Sequence, residues 1–139
     1  MAEDKKKMKA RIIQKYLPSC CRYKCYTQGL IPMSKFCNAH ESYAGMVSYS
    51  DTLGMIDDSP SGDGSTGFLF TDYGFYVNGA DHCVYYSSHP QYGSIPGYNM
   101  TIFNKMLDEL YQADGISGRE IAEGAFKLAS AFLDAWLDG

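Results

Sequence analysis

Five cysteines, three histidines and twelve tyrosines carry most of the chemistry this sequence offers. Cys20, Cys25, Cys37 and His40 are four ligands of the kind zinc takes, with Cys37 and His40 one helical turn apart. No C-x-x-C knuckle accompanies them, so partly buried free thiols are the plainer reading. A thiol nucleophile needs a histidine within reach. His82 and Cys83 are neighbours in sequence, but adjacent side chains on a strand point to opposite faces. A small thiol hydrolase would need a Cys-His pair built across the fold, such as Cys37 with His82, and no motif context marks a catalytic residue.

The stretch SGDGSTGFLFTDYGFY, Ser61 to Tyr76, spells G-x-G-x-x-G from Gly62 to Gly67. A dinucleotide fold needs those glycines between a strand and a helix, with the phosphates at the helix N-terminus. Here Phe68-Leu69-Phe70 follows and reads as a strand. A kinase glycine loop does join two strands, but no V-A-I-K, H-R-D or D-F-G is present. Asp57, Asp58 and Asp63 raise calcium, yet an EF-hand loop begun at Asp57 has Phe68 where the bidentate Glu belongs. The expectation is a polar strand connection, with no cofactor and no metal.

The elements that must position these residues can be read from periodicity. Met8, Ile12, Ile13, Tyr16 and Leu17 recur at helical spacing over 3–17, and Pro18 stops the helix. The segment 19–30 is irregular, and a short helix fits 32–42 behind Pro32. Strands fall within 45–88: Met46 to Tyr49, Leu53 to Ile56, Phe68 to Phe70, Phe75 to Val77 and Cys83 to Tyr86, with turns at Tyr73-Gly74 and Asn78-Gly79. Connections this short make antiparallel neighbours. Helices over 99–113 and 117–138 follow, the second opened by the capping box Ser117 to Glu120 and ending in an apolar face with Trp136. The fold class is α+β: one domain over 1–139, a small twisted antiparallel meander with an N-terminal helix and two C-terminal helices packed on it.

Composition narrows function. The formal net charge of −4 and the absence of a basic face beyond the N-terminal lysines argue against direct nucleic-acid binding. No apolar run approaches the ~18 residues of a membrane span, and the N-terminal cluster lacks a leader's apolar core, so a cytoplasmic protein is expected. Tyrosine is favoured where a ring meets a partner. Tyr73, Tyr76, Tyr85, Tyr86 and Tyr92, with the loop carboxylates Asp57, Asp58 and Asp63, are the interaction candidates. Tyr76 and Tyr85 are expected to stack as cross-strand neighbours.

The runs Ile31-Pro32-x-x-Lys35-Phe36-x-Asn38-Ala39 and Thr66-Gly67-Phe68-Leu69-Phe70-Thr71-Asp72-Tyr73-Gly74-Phe75-Tyr76 resemble a family of small bacterial modules of no settled function, with an IPxxKxxNA helix and a GFLFTDxGIY strand pair. The likeness covers about Ile31 to Ser88. The hairpin is also similar at fold level to that of bacterial pleckstrin-homology-like domains. Neither resemblance implies a catalytic residue. The function expected is a non-catalytic cytoplasmic module that binds or regulates another protein, one with a basic surface. The alternatives are a phage- or mobile-element-encoded inhibitor of a basic nucleic-acid-processing partner, and the thiol hydrolase. The wide apolar face of 117–138 suggests a homodimer.

Overall fold

A computed structural model describes residues 2–80 and 82–115 of the chain. The helix expected over 117–138, its capping box and the dimer expected through it lie outside the described residues.

Helix α1, Ala2–Tyr16, runs directly into a 3-10 turn, Leu17–Ser19, that contains Pro18. Strand β1 is Lys24–Thr27, helix α2 is Met33–Ser42, and strands β2 and β3 are Gly54–Asp57 and Gly67–Phe70. Strand β4 is Gly74–Val77, β5 is Val84–Tyr85, and helix α3 is Met100–Gly115. The five strands form one antiparallel sheet in chain order, β1-β2-β3-β4-β5. That is the α+β meander the sequence implied.

Strand alternation sends side chains to two separate cores. Ile56, Phe68, Phe70 and Phe75 join Met8, Ile12 and Ile13 of α1 and Phe103, Leu107 and Leu110 of α3. Met55 and Leu69 point the other way, onto Phe36 and Ala39 of α2, with Val47 and Ile31 beside them. Helices were expected to cover one face of the sheet, but both faces are covered. This is why all four residues of β2 and of β3 are buried and read as continuous apolar runs rather than an alternating pattern.

Three local expectations change. The irregular segment 19–30 contains β1, whose registry pairs Cys25 with Ile56 and Tyr26 with Met55. Four residues on a sheet edge, with no apolar alternation, leave little trace in sequence. Met46 to Tyr49, read as a strand, is instead a loop running into a 3-10 turn at Tyr49–Asp51. There the Ser48 hydroxyl donates to Asp51 (2.7 Å) and the Thr52 hydroxyl to the Ser48 carbonyl (3.0 Å), local bonds that compete with a ladder. The last strand stops after Tyr85, and Tyr86 turns inward in a 3-10 turn.

Two polar ties hold the layers in place. Buried Lys9 donates to the Asp72 carbonyl in the β3–β4 turn and to Asp114 (2.7 Å) near the end of α3, so α1 and α3 are fixed to that turn. On the other face of the sheet, Lys35 of α2 pairs with Asp57 at the end of β2, 2.7 Å away.

Candidate binding groove

The glycine-rich connection between β2 and β3 is closed by its own groups. The Gly62 amide donates to the Ser59 carbonyl, the Asp63 and Gly64 amides donate to the Ser59 hydroxyl, the Ser65 amide donates to Asp63, and the Gly67 amide donates to the Asn78 side chain (2.9 Å). Those amides are therefore not aimed outward as a phosphate cradle requires. Gly67 begins a strand, and an added Cβ there would fall 1.9 Å from the Ile56 carbonyl oxygen. Close strand approach, rather than a ligand, explains that glycine.

The loop carboxylates are engaged in the same way. Asp57 is buried, and although burial raises its pKa, the Lys35 ammonium and the Ser59 hydroxyl and amide outweigh this and hold it below the usual range. Asp58 accepts from the Thr66 (2.7 Å) and Tyr98 (2.9 Å) hydroxyls. The Ser65 hydroxyl and amide hold the exposed Asp63 down to about 2. Among the described residues, no group of three or more His, Cys, Asp or Glu is placed to hold a metal.

The four-ligand set is divided. Cys20 is interior and Cys25 packs against the α1/α3 core, whereas Cys37 is exposed on α2, on the other face of the sheet, with His40 one turn further on. The companion of Cys25 is Cys21, whose sulfur lies 3.4 Å away. Sequence reasoning passed over Cys21; its position four residues before Cys25 was the available signal. Cys83 has its thiol pushed up by burial, opposed by the Tyr76 hydroxyl, which withholds a nucleophilic thiolate.

Three of the tyrosines come together. The β3–β4 turn presents Tyr73, β4 presents Tyr76 and β5 presents Tyr85, and all three line an open groove of about 1050 Å³. The Tyr73 ring stands nearly perpendicular to Tyr76, at 86° with centroids 6.3 Å apart, and tilts 39° against Tyr85 at 5.9 Å. The expected Tyr76–Tyr85 stack gives way to this corner because the β4–β5 registry sets Tyr85 opposite Gly74, beside the turn. The Tyr73 and Tyr76 hydroxyls are 2.7 Å apart, and burial, then Tyr73, raises the Tyr76 pKa so that it stays neutral. The C-terminal end of α2, His40 to Tyr43, and the loop through Met46 line it as well, together with His82 and Cys83. Met46 is 87% exposed and Tyr85 54% exposed, so these two side chains are open to solvent.

The remaining candidates lie elsewhere. Tyr86 is 0% exposed and donates to the Thr71 carbonyl (2.6 Å), which makes it a core residue closed to a partner, as is Asp57 at 5%. Tyr92 leans edge-on against Phe75. The α2 contribution to the groove left no mark in sequence, because His40 to Met46 lie some thirty residues before the tyrosines they face. No protein-family model, curated protein or solved structure matches this chain.

Proposed function

We propose that this is a non-catalytic protein-interaction module that takes a cationic side chain of a partner protein into the Tyr73–Tyr76–Tyr85 corner. The corner geometry carries the reading. Three tyrosine rings line one groove, two of them nearly at right angles, and a cation over a tyrosine face gains about 0.5–2 kcal/mol, depending on how far it is desolvated.

The domain already uses this contact on itself. Lys9 lies over Tyr86, Arg22 over Tyr23 and Lys35 over Tyr26, with the cation 5.1 to 5.8 Å from the ring centre. By contrast, no lysine or arginine among the described residues stands over Tyr73, Tyr76 or Tyr85. The rest of the groove favours the same charge. Glu41 lines it, the C-terminal carbonyls of α2 present the negative end of the helix dipole, and the chain as a whole carries −4.

A short arginine- and lysine-bearing peptide, compared with a copy in which citrulline and norleucine replace the charged residues, tests the reading. The basic peptide should shift the ring resonances of Tyr73, Tyr76 and Tyr85, and Tyr85→Leu should weaken it several-fold while leaving the fold intact, since Tyr85 is the most exposed of the three. Equal binding of the neutral copy would remove the basis for a cation site.

A further inference from the structure

Cys21 and Cys25 flank the start of β1, and both pack against the edge of the α1/α3 core while remaining partly exposed. Their sulfurs are 3.4 Å apart, so forming a bond of about 2.05 Å requires a movement of little more than one ångström. The backbone around them is held on both sides: Cys21 bridges to Tyr98, the Arg22 amide donates to the Gly97 carbonyl (2.9 Å), and Cys25 is registered on Ile56. Fixed backbones keep the two sulfurs facing each other.

We propose that Cys21 and Cys25 form an oxidisable dithiol, in which Cys21 attacks hydrogen peroxide and Cys25 resolves the product into an intrachain disulfide. The Cys21 thiolate attacks one peroxide oxygen, the O–O bond breaks, and hydroxide leaves and takes up a proton to become water. Cys21 is now a sulfenic acid, oxidised by two electrons. Cys25 then attacks the Cys21 sulfur, the S–S bond forms, the S–O bond breaks, and the departing hydroxide takes up the Cys25 proton as a second water. Two thiols and one peroxide give one disulfide and two waters.

The order of events follows from the surroundings. Hydrogen bonds from the Cys20 and Cys25 thiols lower the Cys21 pKa, against its burial. At Cys25, the pull of Cys20 is outweighed by Cys21 and by burial, and the net effect is upward. Cys20 is fully buried and is raised, chiefly by the same hydrogen bonds to Cys21 and Cys25. Cys21 is thus the partly exposed sulfur whose thiolate these hydrogen bonds favour, and the thiolate is the form that reacts. Cys37, exposed on α2, provides an internal reference for an ordinary accessible thiol.

The test treats the reduced full-length chain with one equivalent of hydrogen peroxide near neutral pH, quenches by alkylation, and maps the tryptic peptides. Trypsin cuts after Arg22 and Lys24, so a Cys21–Cys25 bond appears as two peptides joined. That bond should form on the order of tenfold faster than Cys37 is oxidised, and thiol reductant should reverse it. In Cys25→Ser, a sulfenic-acid probe should label Cys21, and Cys20→Ser should leave the bond in place. Oxidation of Cys37 first, disulfides between chains as the main product, or loss of the bond in a folded Cys20→Ser protein would each overturn the assignment.

Discussion

Replacing Gly67 and Gly62 separately by alanine tests whether the G-x-G-x-x-G spelling serves strand geometry. Both glycines have positive φ, +71° at Gly62 and +136° at Gly67, so each alanine is strained. At Gly62 an added Cβ meets nothing within 4 Å, and the cost is the left-handed strain alone, about 1–2 kcal/mol, reduced by about 0.4–1 kcal/mol because alanine restricts the unfolded chain. At Gly67 the Cβ would fall 1.9 Å from the Ile56 carbonyl oxygen and 2.9 Å from its carbon, so the β2–β3 pair must open by more than an ångström. Both sides are backbone of fully buried central strands, and no side chain can yield. A loss of roughly 4 kcal/mol or more is expected, a large part of the ~5–15 kcal/mol a domain holds. Thermal melts followed by circular dichroism should show Gly62→Ala lowered by a few degrees and Gly67→Ala largely unfolded at room temperature. Equal melting of the two variants would refute the close-approach argument. A rise in wild-type melting temperature with ADP, abolished by Gly62→Ala, would restore the phosphate reading.

Two further predictions concern buried carboxylates. Glu109 is 1% exposed, accepts from the Tyr16 hydroxyl through one oxygen, and has no hydrogen-bond partner among the described residues for the other. Burial raises its pKa against the opposing pull of Tyr16, so the native state binds its proton more tightly and the charged form weakens the fold above the ordinary carboxylate range. Glu109→Gln should therefore stabilise the protein by about 1 kcal/mol at neutral pH in urea titrations, with the gain fading below pH 4. Asp57 works in the opposite direction. Its folded pKa lies below the unfolded one, so its contribution is complete above the ordinary carboxylate range and is lost as pH falls through the depressed native value. Asp57→Asn, which takes from Lys35 its carboxylate partner, should cost about 1–2 kcal/mol at pH 7, and the gap to wild type should close in acid. A pH-independent difference in either case would contradict the assigned cause.

Much of the fold was legible because punctuation and periodicity agreed. Pro18 and Pro32 bound helices that appear within a residue of the expected positions, Asn78-Gly79 is a turn as expected, and the turn expected at Tyr73-Gly74 falls slightly earlier, closed by Thr71 and Gly74 with Gly74 already opening β4. Hidden features were those decided by partners distant in sequence. β1 exists because β2 offers it an edge, and the Met46 to Tyr49 run fails as a strand because Ser48, Asp51 and Thr52 bond locally. Tyr85 and Tyr86 look alike in sequence, yet one faces the groove and the other fills the core, a distinction set by the 3-10 turn between them and α3. Asp57 reads as surface charge in sequence, and what buries it is Lys35, twenty-two residues earlier, on the helix that packs over the same face. The groove itself required α2 to lie on the second face, which no local pattern specified.

The central claim is that the tyrosine corner reads positive charge rather than apolar bulk. The most direct measurement compares one peptide carrying trimethyllysine with the same peptide carrying its neutral tert-butyl isostere, by calorimetry and by the ring resonances of Tyr73, Tyr76 and Tyr85. The two side chains match in shape and differ only in charge. The cation should bind at least about fivefold more tightly, which corresponds to about 1 kcal/mol, and move all three rings. Equal or tighter binding of the neutral isostere, or shifts confined to residues outside the corner, would contradict it.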